Sequence, residues 1–182
     1  MARAIGMVEY ATVSTGVQAA DTLVKTAEVE IIEAQVVCPG KYIVIISGEL
    51  SALKASVDAC KMRYGEKLVD SFVLGNVDDG VFPAMYATVD VENPRALGVM
   101  ETYSGASAIV AADAAAKTAD VTLVELRIAR GMCGKSYLFL TGEVAAVSAA
   151  IENANAAAGD KGMFLDSSII PNPDPKLWEK IL

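Results

Sequence analysis

Three cysteines and no histidine bound the chemistry open to this chain of 182 residues. Without imidazole there is no Ser-His-Asp triad, no Cys-His pair and no histidine metal cluster. A metal would have to be held by thiolates or carboxylates. The cysteines, Cys38, Cys60 and Cys133, are odd in number and lack paired spacing. That pattern fits a reducing cytosol better than a secreted disulfide framework. Cys60 lies on a helical apolar stripe with Leu53 and Val57, which predicts core packing. Cys38 stands in Val37-Cys38-Pro39-Gly40-Lys41. Read alone, it is a small buried hydrophobe at a strand end more readily than a ligand. Cys133, in Gly131-Met132-Cys133-Gly134-Lys135, reads as an exposed loop thiol. Gly40-Lys41 and Gly134-Lys135 lack the Walker spacing of a phosphate loop, so nucleotide binding has little support. Glu9 and Glu101 occupy one position of a repeat and read as structural, not as an acid/base couple. No enzyme is expected.

The elements that position these residues are written twice. Residues 4–33 match 96–125 at an offset of 92, pairing Gly6 with Gly98, Glu9 with Glu101, Asp21 with Asp113 and Lys25 with Lys117. The offset grows to 94 for Gly40/Gly134, Lys41/Lys135 and Gly48/Gly142, and to 96 for Asp70/Asp166. The order is collinear, so the chain reads as two copies of one domain, 1–92 and 93–182, with a linker near Val89 to Arg95. Each copy predicts a strand (Ala4 to Tyr10; Ala96 to Tyr103) and then a helix capped by Ser14 or Ser104. Val17, Ala20, Val24 and Ala27 supply that helix's apolar spacing. A second strand follows; in copy two Val124, Leu126 and Ile128 alternate with Glu125 and Arg127. A tight loop leads into a third strand, Tyr42 to Ser47 or Tyr137 to Thr141. The second helix carries Leu50, Leu53, Val57, Cys60 and Tyr64, or Val144, Val147, Ile151, Ala154 and Ala158. A fourth strand closes each unit, Leu68 to Leu74 and Phe164 to Ile170, before short tails around Val81 to Met85 and Lys176 to Leu182. The class is α/β (α+β): two tandem ferredoxin-like β-α-β-β-α-β domains.

Composition narrows the function classes. The chain is 53% hydrophobic, enough to bury a core, and its net charge of −8 leaves no basic stripe for nucleic acid. No stretch approaches the roughly 18 apolar residues of a membrane span. Met1 to Gly6 enters an amphipathic pattern without a signal-peptide core, so a cytoplasmic location is expected.

The ordered set Gly6-Met7-Val8-Glu9, Ala20-Asp21 through Ala27, Gly40-Lys41 and Ser47-Gly48-Glu49 resembles the bacterial microcompartment (BMC) shell domain. Gly98-Val99-Met100-Glu101, Ala112-Asp113, Lys117 and Thr141-Gly142-Glu143 repeat it. The loop Val37 to Lys41, the run Gly65 to Ser71, Ile169-Ile170-Pro171 and the late Trp178 are similar to tandem members of this family. The resemblance implies a structural shell protein whose homotrimer mimics a hexamer and tiles with other BMC shell proteins in a flat layer. It implies pore loops at Cys38, Pro39, Gly40 and Lys41 and at Met132, Cys133, Gly134 and Lys135. It matches Lys25 and Lys117 to the lattice-edge lysine; without it, they read as cations at helix C-termini. It also matches Cys38 to a cysteine that, in three chains, holds an iron–sulfur cluster, [4Fe-4S], on the threefold axis. Electron transfer or cluster exchange across the shell, with a lumenal or cytosolic redox enzyme as partner, is then expected. Soft thiolates favour such clusters, and three cysteines leave one iron open to an outside ligand. Loop N–H groups are expected to hydrogen-bond the cluster's sulfurs. Cys133 departs from the family's glycine-built second loop. The alternative is a cluster-free tile whose central pore passes a small metabolite.

Overall fold

The computed structural model describes residues 4–182; Met1 to Arg3, where the opening segment begins, lie outside them. The first repeat folds as β1 (Ile5–Tyr10), α1 (Val13–Thr26), β2 (Val29–Val37), β3 (Lys41–Gly48), α2 (Leu50–Tyr64) and β4 (Leu68–Leu74). The short α3 (Val81–Met85) follows. The second repeat folds as β5 (Ala96–Thr102), α4 (Gly105–Thr118), β6 (Val121–Arg127), β7 (Ser136–Gly142), α5 (Val144–Gly159), β8 (Phe164–Ile170) and α6 (Pro175–Ile181). Both sheets are antiparallel, ordered β2-β3-β1-β4 and β6-β7-β5-β8. This is the split β-α-β arrangement expected from the element order.

The chain separates into two compact units. One comprises the described residues through Val77 together with Ala129–Gly134; the other comprises Asp78–Ile128 and Lys135–Leu182. The β6–β7 loop therefore packs with the first repeat, while α3 and the residues after it pack with the second.

In the first unit, α1 and α2 cover one sheet face over Val8, Val44, Ile46, Leu23, Leu53, Val57 and Cys60. The Tyr10 hydroxyl donates to the Cys60 carbonyl (3.0 Å), and the Ser56 hydroxyl donates to the Leu23 carbonyl (2.9 Å). Helix α1 corrects two expectations. Thr12, not Ser14, is its N-cap residue, which is the position that matches Ser104 at the repeat offset. Its buried face is Thr15, Gly16, Ala19 and Leu23, whereas Val17 and Val24 are exposed. Small residues let the helix lie close to the strands: a Cβ at Gly16 would fall 2.3 Å from the Tyr42 Cβ. In α2, Leu53, Val57 and Cys60 are buried as expected, Ser56 joins them, and Leu50 at the helix start is exposed.

In the second unit the positions matching Gly16 and Tyr42 hold Ala108 and Ser136, both buried. Alanines dominate the α4 and α5 faces, and the two helices pack closely. Ser104 caps α4 by accepting from the Ser107 amide at 3.0 Å. Strands β2 and β6 carry the same irregularity, after Ile31 and after Leu123. It adds Leu123 to the expected buried set Val124, Leu126 and Ile128. Helix α3 packs on α4 and β6. The Asp113 carboxylate accepts from the Asp78 amide (2.9 Å), and the Asp78 carboxylate accepts from the Gly80 amide (2.9 Å). Val81 and Ala84 are fully buried there.

Candidate functional site

The two cysteine loops meet in the first unit. β2 ends at Val37, and the turn reverses through Cys38, Pro39 and Gly40, with the Cys38–Pro39 peptide cis and Gly40 at φ +101°. The amide of Cys38 donates to the Ala129 carbonyl (2.9 Å), and that of Gly40 donates to the Val37 carbonyl (2.9 Å). Proline has no N–H. Within this turn the Cys38 and Gly40 amides are therefore committed to main-chain carbonyls. The Cys38 thiol is half-buried, while Pro39 and Gly40 are exposed.

The second loop packs against the first. Gly134 is buried at φ +88°, and a Cβ there would lie 2.7 Å from the Lys41 Cε and 3.1 Å from the Pro39 Cδ. Both the conformation and the close approach require glycine. Cys133 precedes it in the left-handed region (φ 51°) with its side chain exposed; Met132 is half-buried. Lys41 ties the loops together: its Nζ pairs with the fully buried Glu9 carboxylate and donates to the Gly134 carbonyl at 3.0 Å. Arg130 adds a tether to Glu33 (2.7 Å), to which Gln35 also donates. Burial pushes the Glu33 carboxyl above its ordinary range, against the opposing pull of Arg130, and its Oε2 is buried without a partner. Sequence reasoning missed this tether, because residues 33 and 130 match no motif.

The repeated Glu–Lys pair differs between copies. Lys135 sits 3.5 Å from Glu101, and both side chains are partly exposed. These glutamates anchor lysines at the starts of β3 and β7, in keeping with a structural reading. Lys25 and Lys117 occupy the last turns of α1 and α4, each paired at 2.7 Å with the aspartate one turn back. Cys60 is apart from all of this. It is buried, its thiol donates to the Ala19 carbonyl at 3.5 Å, and burial pushes its pKa up to about 11. A thiol held neutral in this way is inert packing.

Among the described residues no group of three or more Cys, Asp or Glu side chains is set to hold a metal within one chain, and no helix is long and apolar enough to cross a membrane. The loops present one half-buried thiol, Cys38, and one exposed thiol, Cys133.

Comparison with known proteins gives concordant results. The BMC domain family matches twice, at residues 4–77 and 96–173. The bacterial microcompartment shell protein PduT of Citrobacter freundii is 35% identical over 182 residues, covering 100% of this chain and 99% of PduT. The carboxysome shell protein CsoS1 of a Prochlorococcus marinus strain is 35% identical over 89 residues, 47% of this chain and 85% of CsoS1. The crystal structure of a microcompartments protein from Desulfitobacterium hafniense superposes with a TM-score of 0.83 at 43% identity, covering 98% of this chain and 99% of that one. A fused permuted hexameric shell protein of the RMM microcompartment shares the fold, with a TM-score of 0.67 at 24% identity over 87% of this chain and 84% of that one. The chain belongs to the BMC family of bacterial microcompartment shell proteins, with two BMC domains in tandem.

Proposed function

We propose that three copies of this chain close into a pseudo-hexameric ring within a microcompartment shell, with Cys38 of each copy directed to the threefold axis to hold a [4Fe-4S] cluster. One observation carries the reading: Cys38 sits at a turn, half-open to solvent, on a loop pinned from both sides by Lys41, Ala129 and Gly134. A threefold axis beside that turn gathers three thiols that one chain does not bring together. Similarity over the full length of PduT and to other shell proteins supports the shell role. The donor set fits a soft, thiolate-bound centre, and Cys133 is the exposed thiol of the second loop, which packs against the first. When bound, such a cluster supplies one-electron chemistry at the shell layer, which a redox enzyme on either side would use. The amides of Cys38 and Gly40, committed to main-chain carbonyls, would not contribute to tuning its potential. Lys25 and Lys117, at the surface ends of equivalent helices, are assigned to contacts with neighbouring tiles.

The test is iron and sulfide content with the visible spectrum of anaerobically purified protein, beside Cys38→Ala and Cys133→Ala. Four irons per trimer, about the content of one cubane, lost in Cys38→Ala and kept in Cys133→Ala, is the expected result. Loss in both variants would make Cys133 a ligand. A colourless, iron-free trimer would overturn the cluster and favour an open pore passing a small metabolite, with Cys38 and Cys133 at its rim.

A further inference from the structure

The repeats diverge in chemistry where the start of α1 meets the end of α2. There the first unit holds a cavity of 480 Å³. Thr15 and Gln18 of α1, Arg63 and Tyr64 of α2, and Lys67 of the turn that follows wall it. At the matching positions the second repeat has Val110 for Gln18, Ala157 for Arg63 and Ala158 for Tyr64. Thr15 and Lys67 keep their kind as Ser107 and Lys161. The supports behind the wall differ as well. The Tyr10 ring meets the Tyr64 ring edge-on at 6.2 Å, and the Thr22 and Tyr64 hydroxyls are 3.1 Å apart. In the second repeat Thr102 and Ala114 stand at those two places. The wall is also cationic in a chain of net charge −8. The stretch from Leu50 to Lys67 carries four cations against two carboxylates; the matching stretch from Val144 to Lys161 carries one against two. The Arg63 guanidinium lies over the Tyr64 ring, 5.4 Å from its centre, an attractive placement that holds it at the cavity. Among the described residues neither Arg63 nor Lys67 forms an ion pair, and Glu66 is the one carboxylate lining the cavity. The Ala11 amide donates to the Lys67 carbonyl at 2.9 Å, which fixes the turn. The Thr12 hydroxyl donates to that of Thr15 at 2.9 Å, so the Thr15 proton is left to donate. Packing accounts for Tyr10 and Tyr64; it does not account for two unpaired cations and Gln18, all three exposed.

We propose that this cavity of the first repeat binds the phosphate group of a small molecule. Arg63 and Lys67 are its charge partners, and Thr15 and Gln18 are its neutral donors. A carboxylate offers one charge on two oxygens, whereas a phosphate ester offers up to two charges on three oxygens. Two cations and two neutral donors therefore match the phosphate better. The guanidinium fork suits two of its oxygens, and the Lys67 ammonium takes the third as a point charge. A volume of 480 Å³ is that of a small-molecule pocket, with room beyond the phosphate for the organic group it is attached to. The site lies within one repeat of one chain, so it is independent of both the ring and the cluster proposed above.

The test is calorimetric titration of the full chain with phenyl phosphate and with benzoate, which share a ring and differ in the charged group. Phenyl phosphate should bind saturably, and benzoate at least about tenfold more weakly. Arg63→Ala with Lys67→Ala should weaken phenyl phosphate binding at least about tenfold. Both side chains are exposed, so the circular dichroism of this variant should match the wild type. Lys54→Ala with Lys61→Ala removes the same charge from the same helix, at positions that do not line the cavity, and should leave the affinity unchanged. Equal losses in the two double variants would reduce the effect to diffuse charge and overturn the site. Benzoate binding as tightly as phenyl phosphate would overturn the ligand class. Absence of saturable binding up to about 10 mM phenyl phosphate would overturn the proposal outright.

Discussion

Helices α1 and α4 descend from one stretch of sequence and end in the same Asp–Lys pair, yet they live in different surroundings. α4 is buried almost all round, with Ala106, Ala108, Ile109, Ala111, Ala112 and Ala115 enclosed; α1 buries Gly16, Ala19 and Leu23 and shows Val13, Val17 and Val24 to solvent. Their residues alone do not set this difference. The neighbours do: α3 packs on α4 beside α5, while among the described residues α2 is the helix that packs on α1. Duplication copies an apolar stripe, and each copy then needs its own cover.

The comparison sharpens through substitutions at matching positions. The largest effect should come at the helix–strand contact. Gly16→Ala places a methyl 2.3 Å from the Tyr42 Cβ and should cost about 1–3 kcal/mol by urea unfolding, although alanine is the better helix former. Adding Tyr42→Ser, the pairing of the second repeat, should recover most of that loss. Recovery of none would show that the repeats' helix–strand volumes are not coupled. Next come the lysines. Lys41→Met removes the ion-pair partner of the fully buried Glu9 and should cost about 3 kcal/mol. Lys135→Met, in the half-exposed pair with Glu101, should cost less than about 1 kcal/mol. Equal losses would mean that the two pairs are equivalent despite their burial. The smallest effect on folding is expected at Lys25→Ala, within about 0.5 kcal/mol because its pair with Asp21 is exposed. If the edge assignment holds, extended layers seen by electron microscopy should nevertheless be lost, with the ring intact.

The element order was open to reading because it is stated twice. Strands such as Leu68–Leu74 and Phe164–Ile170 are short apolar runs with matching flanks, and the structure places them with those bounds. The face of α1 was not legible. Val17, Ala20 and Val24 keep helical period, but period identifies an apolar side and not the element that covers it. The sheet-facing side holds Gly16 and Ala19, whose value lies in small size, which hydropathy does not score. The cap at Thr12 was recoverable from the alignment of the repeats, since the matching Ser104 was read as a cap. At the loops, the family resemblance carried the candidates, but the Lys41–Gly134 bond joins residues 93 apart and left no local signal.

The unequal volumes at Gly16 with Tyr42 and at Ala108 with Ser136 bear on how the chain reaches its fold. Tandem copies of one sequence sit at high local concentration, and a helix from one can dock on the strands of the other during folding. An α4 laid on β3 would drive the Ala108 methyl into the Tyr42 ring, and an α1 laid on β7 would leave a gap beside Ser136. Both hybrids are penalised, one by overlap and one by a void. Divergence at this pair therefore favours each helix on its own sheet over either hybrid.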